Sequence, residues 1–530
     1  MRQLLFAVCC SLLACAHSRT SSPADGAVTP PGPVVSLTPE EEGVVMRAWE
    51  AVEGGESAKA LALVTALWDA GHAHPDIAWA AAVSAGLGGD AAASSHWLER
   101  AVQHGFKNLY SLRSSRAMEP VRALPGYDAL LEGARRNARA AREAAGVGSG
   151  LERISPAEAG ISEPELAALV KAAEEASSSG LVLLRRGKLV GEWYFGGESE
   201  RIEAMSATKG VVALAIGLLI DDGKIPSVDT PVSHFFPEWK EGLKAQVTLR
   251  HLLSHTSGLA ARRTAGEIYE AKDYVRLALD SAVVDEPGRR FFYNNKATNL
   301  VAGIAERAAG EKLEAYLRRR LFTPLGIQDI VWSTDPSGNP VGMAGFKVHP
   351  LDFAKLGQLL LQRGVWRGER ILSEAWIREL GAAPAQSHDT TSGLLWWLVY
   401  EEGTRMALDP DLLVRARGNG ASEASLGRVQ ELMGRDFEGR ELYERLFTAL
   451  GAEASFELFD KAAPAGVKRW GVGRVVGFAA MGQGGQQLLV FPEHDIVVAR
   501  MAITGGEVDE AIEFRTLGQR VLDLVRPAPR

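Results

Sequence analysis

Cysteine is nearly absent from this chain of 530 residues, and the three that occur, Cys9, Cys10 and Cys15, all lie within the first fifteen residues. The folded body that follows therefore contains no disulfide. Acidic residues outnumber basic ones, which gives a formal net charge of -8, so the composition does not indicate nucleic-acid binding. With 46% hydrophobic and 23% charged residues, the chain is globular, and its length requires more than one domain.

The N-terminal apolar run is too short to span a bilayer as a permanent helix. It follows Arg2 and ends at Ala14, an order that is typical of an export signal over residues 1–14. Leu12-Leu13-Ala14-Cys15 resembles a bacterial lipobox, which implies cleavage before Cys15 and acylation of its sulfur. An ordinary secretory signal with an incidental cysteine is the alternative. Ala16 follows the cysteine in place of Asp, and by resemblance to Gram-negative lipoproteins this favours the outer membrane, facing the periplasm.

Residues 15–36 are rich in serine and proline and are predicted to form a disordered tether. Residues 37–145 are predicted to form an all-α domain, which opens with a capping box at Thr38-Pro39-Glu40-Glu41. Turns at Gly54-Gly55 and Gly88-Gly89 are 34 residues apart, which is the tetratricopeptide period. The segment is thus predicted to be a helical-repeat adaptor for a protein partner, with a plain helical bundle as the alternative.

The strongest chemical signal is Ser206-Ala207-Thr208-Lys209, which begins an almost wholly apolar run that ends at Asp221-Asp222-Gly223. This pattern predicts a buried helix that starts at Ser206 and has Gly223 as its C′ residue. Lys209 lies one turn after Ser206 on the same face, within reach of the hydroxyl. The pair is a nucleophile beside an amine that can accept or tune its proton. The alternative, a solvated lysine on the surface, is disfavoured by the apolar residues that surround Lys209 in the sequence.

Two later segments carry further candidates. Tyr293 of Tyr293-Asn294-Asn295 is a phenol that can exchange protons if an ammonium group such as Lys209 lies beside it, and Asn295 can orient that lysine or a substrate carbonyl. Met481-Gly482-Gln483-Gly484-Gly485-Gln486 precedes an apolar strand, and its glycines allow close approach of a substrate. A core tyrosine and an inert bulge are the alternatives. His255, in His255-Thr256-Ser257-Gly258-Leu259, is interpreted as a packed residue that fixes a turn.

In this order, the motifs resemble those of the serine β-lactamase and penicillin-binding-protein superfamily, above all its class C-like branch of esterases and small-amide hydrolases. The resemblance covers about Ile154 to Leu524, within a predicted hydrolase domain of residues 150–526. It implies an α+β fold, with an antiparallel sheet flanked by helices and an all-helical subdomain beside it. It implies Ser206 as the acylated nucleophile and Lys209 and Tyr293 as proton handlers. The N–H groups of Ser206 and Gln486 would form the oxyanion hole, and Asn295, Gln483, Gly484 and Gly485 would bind substrate. No metal or organic cofactor is implied.

The sequence departs from that pattern twice. About residues 400–470 form an insertion, which either caps the cleft or is an inert surface excursion. Gln483 stands where lactam- and peptidoglycan-directed members place the lysine of a Lys-Thr-Gly strand. The expected activity is therefore that of a serine hydrolase acting on carboxylic esters or small amides. A β-lactamase or DD-peptidase is one alternative, and a catalytically inactive binding module is another.

Overall fold

The computed structural model of the protein describes residues 37–148, 150–195, 201–262, 265–382, 386, 388–439, 441–463, 465–503 and 516–525. The predicted signal peptide, Cys15 and the tether lie outside these residues. The chain divides into two compact units; the first consists mainly of the residues up to Gly146 and the second mainly of those from Val147 onward, although Tyr194 is grouped with the first. Among the described residues, no helix combines the length and apolarity that crossing a bilayer requires.

From residue 37 to Gly146, the first unit has helices as its only regular elements, in agreement with the predicted all-α segment. The Thr38 side chain and Glu41 form the expected capping box at its start. The α-helices are α1 (Pro39–Glu53), α2 (Ser57–Asp69), α3 (Pro75–Leu87), α4 (Ala91–Gln103), α5 (Leu109–Ser114), α6 (Glu119–Arg122) and α7 (Tyr127–Ala144), with a 3-10 turn at Arg116–Met118.

The first four helices form two similar pairs. The turn after α1 and the turn after α3 each contain a glycine in the left-handed region, Gly55 and Gly89, with φ of 79° and 85°. In both turns the following residue, Glu56 or Asp90, donates its N–H to the carbonyl five residues earlier. Alanines dominate the shared core, and α3 is buried along most of its length. The repeated turn geometry accounts for the 34-residue spacing in the sequence.

The second unit contains a six-stranded antiparallel sheet, whose strands are β1 (Gly180–Arg185), β2 (Lys188–Tyr194), β8 (Trp397–Tyr400), β12 (Val475–Gly482), β13 (Gln486–Phe491) and β14 (Ile496–Met501). Their order across the sheet is β2-β1-β14-β13-β12-β8. β1 and β14 pair in unbroken register from Gly180 opposite Met501 to Arg185 opposite Ile496. Since β13 and β14 are buried at every residue, they form the centre of the sheet.

Three smaller sheets complete the strand set. Their strands are β3 (Ile202–Glu203), β4 (Ile330–Trp332) and β5 (Phe346–Val348); β6 (Val365–Trp366) and β7 (Glu369–Arg370); and β9 (Thr404–Leu408), β10 (Phe437–Glu438) and β11 (Val467–Gly471).

The helices of this unit pack on the sheets or form a separate helical region. They are α8 (Pro156–Ala159), α9 (Glu163–Glu175), α10 (Thr208–Asp221), α11 (Leu249–Leu253), α12 (Gly266–Tyr269), α13 (Tyr274–Asp280), α14 (Asn295–Ala309), α15 (Leu313–Leu317), α16 (Pro350–Leu361), α17 (Glu374–Leu380), α18 (Leu412–Gly418), α19 (Glu423–Gln430), α20 (Glu441–Leu450), α21 (Ala452–Ala462) and α22 (Leu517–Asp523). Short 3-10 turns lie at Met205–Ala207, Val232–His234, Pro237–Trp239, Gly242–Gln246 and Pro492–His494, and a π turn at Arg318–Phe322.

The main core of this unit lies around α10, which contacts both the large sheet and the helical region through one continuous apolar cluster. The segment from β9 to β11 has an apolar cluster of its own, with Leu412, Val429, Leu446 and Phe459 buried in it. The structure thus has an antiparallel sheet flanked by helices, an all-helical part beside it and an all-α segment before it. This confirms the predicted fold class.

Candidate active site

Ser206 lies in the 3-10 turn Met205–Ala207, directly before α10. Every residue of α10 from Thr208 to Leu219 is buried, which agrees with the apolar run in the sequence. The helix ends as predicted, since Gly223 adopts φ of 70°, a conformation that glycine takes without strain. A well-packed helix therefore holds Ser206 in a fixed position.

The backbone around Ser206 is strained. Met205 has φ of 48°, in the left-handed region that residues with a side chain rarely adopt. His255 and Leu395, which line the same cleft as Ser206, also have positive φ, at 56° and 61°. They are three of the eight described non-glycine residues with this conformation. Such strain persists only where packing enforces it, and it concentrates at functional sites.

Lys209 reaches Ser206 as the sequence predicts. Its Nζ lies 2.9 Å from Ser206 Oγ and also donates to the carbonyl oxygen of Met343 at 2.8 Å. The lysine is only 3% exposed, so it is not a solvated surface charge. Burial lowers the pKa of Lys209 from its ordinary value, and the neighbouring Tyr293 opposes this shift. A buried amine with a lowered pKa can accept the hydroxyl proton.

Tyr293 comes from the loop before α14 and meets the same lysine. The Lys209 Nζ lies 4.9 Å from the centroid of the phenol ring. The ring also contacts His255, at 4.7 Å between centroids, and is nearly parallel to Trp397, at 6.3 Å and 12°. Together with Ser206 and Lys209, these three residues line one cleft; its other lining residues are Ser392, Leu395, Trp396 and Met481. We call this the Ser206 cleft.

His255 has the packing role expected of it. It is fully buried, and its Nδ1 accepts the N–H of Asn294 at 3.2 Å, while its carbonyl accepts the N–H of Phe292 at 2.8 Å. Burial, with a smaller contribution from the charge of Lys209, lowers the pKa of His255 to about 3. A neutral imidazole therefore fixes the loop that carries Tyr293.

The two asparagines after Tyr293 have different roles: one caps a helix, and the other has a side-chain oxygen without a partner. Asn294 caps α14 through its Oδ1, which accepts the N–H of Ala297 at 3.0 Å. Asn295 was predicted to orient Lys209 or a substrate carbonyl; among the described residues Lys209 donates to Ser206 and to the Met343 carbonyl instead. The Asn295 Oδ1 is buried and has no hydrogen-bond partner among the described residues. It is thus an acceptor still available to a bound molecule.

The Met343 carbonyl is held in place by a residue that the sequence analysis missed. Asn299, fully buried on α14, accepts the N–H groups of Gly342 and Met343 at 2.9 and 3.0 Å through its Oδ1. Only glycine fits at residue 342, since a Cβ there would lie 2.4 Å from the Thr298 carbonyl oxygen. Asn299 therefore positions the second acceptor of Lys209.

The end of β12 borders the nucleophile, but through other residues than those predicted. Met481 lines the Ser206 cleft, whereas Gln483, Gly484, Gly485 and Gln486 are not among its lining residues. A Cβ on Gly482 would lie 2.3 Å from the Ala204 carbonyl oxygen and 3.0 Å from the Ser206 nitrogen. The strand and the nucleophile turn therefore touch at Gly482, whose lack of a side chain permits the contact.

The four predicted residues form the turn beyond that contact. Gly484 and Gly485 both have φ of 73° and reverse the chain, so that Gln486 pairs with Gly482 across the hairpin. The Gln486 side chain is buried, donating to the Ala502 carbonyl at 2.7 Å and accepting its N–H at 2.9 Å. Both the nitrogen and the oxygen of its side-chain amide are thus bonded within the sheet, and the role of its backbone N–H in an oxyanion hole stays a prediction.

A buried arginine fixes this turn. Arg500 of β14 donates to the carbonyls of Gly484 and Gly485 at 2.7 and 2.8 Å, and to Ser178 Oγ and the Ala176 carbonyl. Burial lowers the pKa of Arg500 to about 10. Since the turn follows directly on Gly482, Arg500 is a positioning residue for the edge of the cleft.

Comparison with known proteins places this arrangement in a family. A family model described as Beta-lactamase matches residues 166–519, about two thirds of the chain. The chain belongs to the β-lactamase family. The predicted superfamily is thereby confirmed.

Two curated relatives of this β-lactamase-family chain are hydrolases by name. Esterase EstB of Burkholderia gladioli is 31% identical over 144 residues, which cover 23% of this chain and 36% of the esterase. 6-Aminohexanoate-dimer hydrolase of Paenarthrobacter ureafaciens is 24% identical over 248 residues, which cover 42% of this chain and 61% of that enzyme. Each match thus spans less than two thirds of the relative. A solved family VIII carboxylesterase is 17% identical, covers 69% of this chain and 98% of its own, and superposes with a TM-score of 0.46.

The segment from β9 to β11 reaches the wall of the cleft in this family member. Arg469 of β11 lies over the Trp397 ring, 4.4 Å from its centroid. Two of its nitrogens, Nε and Nη2, donate to Asp389 Oδ2 at 2.9 and 2.8 Å. Since Trp397 lines the cleft, the predicted insertion contributes to the support of that wall.

Proposed function

We propose that the protein is a serine hydrolase that acts through an acyl-enzyme on neutral carboxylic esters or small amides. The observation that carries this proposal is the 2.9 Å contact between Lys209 Nζ and Ser206 Oγ at the head of a buried helix. Membership of the β-lactamase family and the hydrolase names of the two curated relatives support it. The alternative of an inactive binding module leaves the strained nucleophile turn and the desolvated lysine without a purpose.

The proposed reaction has two halves. Ser206 Oγ forms a bond to the substrate carbonyl carbon while its proton passes to Lys209, with Tyr293 beside the lysine as a second proton carrier. The N–H of Ser206 and a backbone N–H at the end of β12 stabilise the oxyanion. The tetrahedral intermediate then expels an alcohol or amine, which takes up the proton. In the second half, water attacks the acyl carbon and gives a proton to Lys209; the bond from that carbon to Ser206 Oγ then breaks, the proton passes to Oγ, and the acid leaves.

The proposal of a neutral substrate rests on the charges in the cleft. Among the nine residues that line it, Lys209 has the one basic side chain besides the buried His255, and its Nζ is already bonded to Ser206 Oγ and to the Met343 carbonyl. Gln483 offers no charge, and Arg469 is paired with Asp389. Binding a substrate carboxylate in the cleft without a cation would leave its charge poorly compensated.

We therefore expect a nitrophenyl butyrate ester to be hydrolysed with a kcat/KM at least about tenfold above that of a chromogenic cephalosporin, since a missing charge-assisted hydrogen bond costs roughly 1.5–3 kcal/mol. Steady-state kinetics on both substrates, with the same enzyme preparation, measure the ratio. A higher kcat/KM for the cephalosporin would contradict the neutral-substrate proposal and favour the β-lactamase alternative.

We also propose that the protein is exported and anchored by a lipid on Cys15, with residues 37–145 serving a protein partner. The support is the lipobox-like sequence that ends at Cys15. The Cys15→Ser variant is expected to move from the membrane fraction to the soluble fraction, because an acyl chain supplies most of the membrane affinity. Immunoblots of fractionated cells measure this. Cys9→Ser is the matched control and should stay with the membranes; sedimentation of Cys15→Ser with them would contradict the anchor.

A further inference from the structure

A second, more polar cavity lies apart from the residues of the Ser206 cleft. It has a volume of about 240 Å³. The charged or titratable residues that line it are Arg289, Arg290, His388, Asp409, Asp411 and Lys468. We call it the polar cavity. It lies where the segment from β9 to β11 meets the loop that leads to Tyr293.

The carboxylates in its wall already have partners. Asp409 accepts from His388 Nε2 at 2.6 Å and from the Asp411 N–H at 2.8 Å. Although burial would raise the pKa of Asp409, these hydrogen bonds hold it at about 2. Asp411 in turn accepts from Arg290 Nη2. These acids are thus neutralised by the protein and do not form a site for a cation.

Positive charge is in excess. Three carboxylates, those of Asp285, Asp409 and Asp411, face four cations, namely Arg289, Arg290, Arg415 and Lys468. Among the described residues, Lys468 has no acidic partner, although it lines the polar cavity.

Two buried nitrogens near or in its wall also lack a hydrogen bond. The Arg290 side chain is only 10% exposed, yet its Nη1 makes no hydrogen bond and lies 3.7 Å from the nearest Asp285 oxygen. His388 is buried as well, and its Nδ1 has no hydrogen-bond partner in the described part of the chain. Of the two, Arg290 Nη1 is a donor, and a buried donor without a hydrogen bond is unfavourable unless an acceptor is supplied. His388 donates through Nε2, so its Nδ1 does not call for an acceptor.

We propose that the polar cavity binds a small oxyanion, a carboxylate or a phosphate group, with Lys468, Arg289 and Arg290 as its ligands. Its volume is below the roughly 300 Å³ at which pockets for drug-sized ligands begin, and suits a small anion with a few waters. Guanidinium groups match the planar or tetrahedral oxygens of such anions through paired hydrogen bonds.

The segments that separate the polar cavity from the Ser206 cleft contribute residues to the walls of both. Successive residues of a strand face opposite sides, so Lys468 lines the polar cavity while its neighbour Arg469 lies over Trp397. His388 likewise lines the cavity, while the following Asp389 holds Arg469. A bound anion would therefore contact both segments that support the cleft wall. The binding proposal itself does not depend on the proposed hydrolase activity.

Calorimetric titration of the full chain with sodium phosphate, and separately with sodium succinate, tests the proposal. Sodium chloride keeps the ionic strength constant, because screening alone would change the response. Saturable binding is expected, with an affinity about tenfold or more weaker in Lys468→Gln, since one charge-assisted hydrogen bond is lost. Arg289→Gln, at a half-exposed residue, provides a second variant with the same expectation. Lys240→Gln removes an exposed lysine away from the cavity and should leave the affinity unchanged.

The two anions identify the source of the ligand. Tighter binding of phosphate supports a phosphate group, and tighter binding of succinate supports a carboxylate. Absence of saturable binding by both anions would overturn the proposal and make the cluster an ion network of structural use alone. Equal affinities in the wild type, Lys468→Gln and Arg289→Gln would also overturn it, because the anion would then bind elsewhere.

Discussion

The Ser206→Ala variant is expected to lose at least about 10³-fold in kcat for ester hydrolysis, because a hydrolase without its nucleophile keeps only binding and oxyanion stabilisation. The structure singles out this serine, since its hydroxyl accepts from a buried lysine and its turn is held in a strained conformation. The wild-type enzyme should also form a covalent adduct with a fluorophosphonate, and peptide mass spectrometry should place that adduct on Ser206.

Ser392 is the matched control, because it lines the same cleft but its hydroxyl donates to the Gly393 carbonyl instead of meeting a lysine. Ser392→Ala should still carry the fluorophosphonate adduct on Ser206. Thermal unfolding of Ser206→Ala should remain close to that of the wild type, which separates loss of chemistry from loss of fold. An adduct on another serine, or full activity in Ser206→Ala, would refute the assignment of the nucleophile.

The part of the site that a sequence predicts best is the part built within one element. Ser206 and Lys209 are three residues apart at the head of a helix, so the helix geometry alone brings them together. The burial of Lys209 follows from the apolar residues that surround it in the sequence. Tyr293 lies on another segment, and only the resemblance to a known family placed it beside the lysine.

Contacts between distant segments could not be predicted in this way. The Met343 carbonyl meets Lys209 across 134 residues, and every residue has a carbonyl, so no residue type marks it. Asn299 orients that carbonyl from the same helix face as Asn295, four residues earlier, but its role depends on where the chain returns after β4. The sequence shows that residue 299 is an asparagine, but it does not show which backbone groups this side chain binds.

The misplaced residues at the end of β12 show the effect of register. The glycines of this segment were predicted to let a strand approach a substrate closely, whereas two of them have positive φ and reverse the chain at Gly484-Gly485. This assigns Gly482 to the contact with Ser206 and turns the Gln486 amide toward Ala502. A shift of a few residues along a hairpin changes which side chain faces the cleft, and the sequence pattern does not fix that shift.

The second large effect is expected from Tyr293→Phe, which should lower kcat by about 10²–10⁴-fold, the usual worth of a positioned proton carrier, and leave KM within about twofold. The phenylalanine ring keeps the contacts with His255 and Trp397 and removes only the hydroxyl. The pH dependence should change as well. If neutral Lys209 accepts the serine proton, kcat rises with pH through the pKa of that lysine. Burial lowers this pKa and Tyr293 raises it, so loss of the hydroxyl should move the rising limb to lower pH.

Stopped-flow or steady-state rates across a pH series measure both effects in one experiment. Tyr400→Phe is the matched control, since it removes a hydroxyl that donates to the Thr390 carbonyl at 2.9 Å and does not line the Ser206 cleft. It should leave kcat and the position of the rising limb unchanged. If the Tyr293 hydroxyl had only a structural role, Tyr293→Phe would unfold at a lower temperature, but the rising limb of its pH profile would not move. An unchanged kcat would assign Tyr293 to packing, and Lys209 would then have to handle the proton alone.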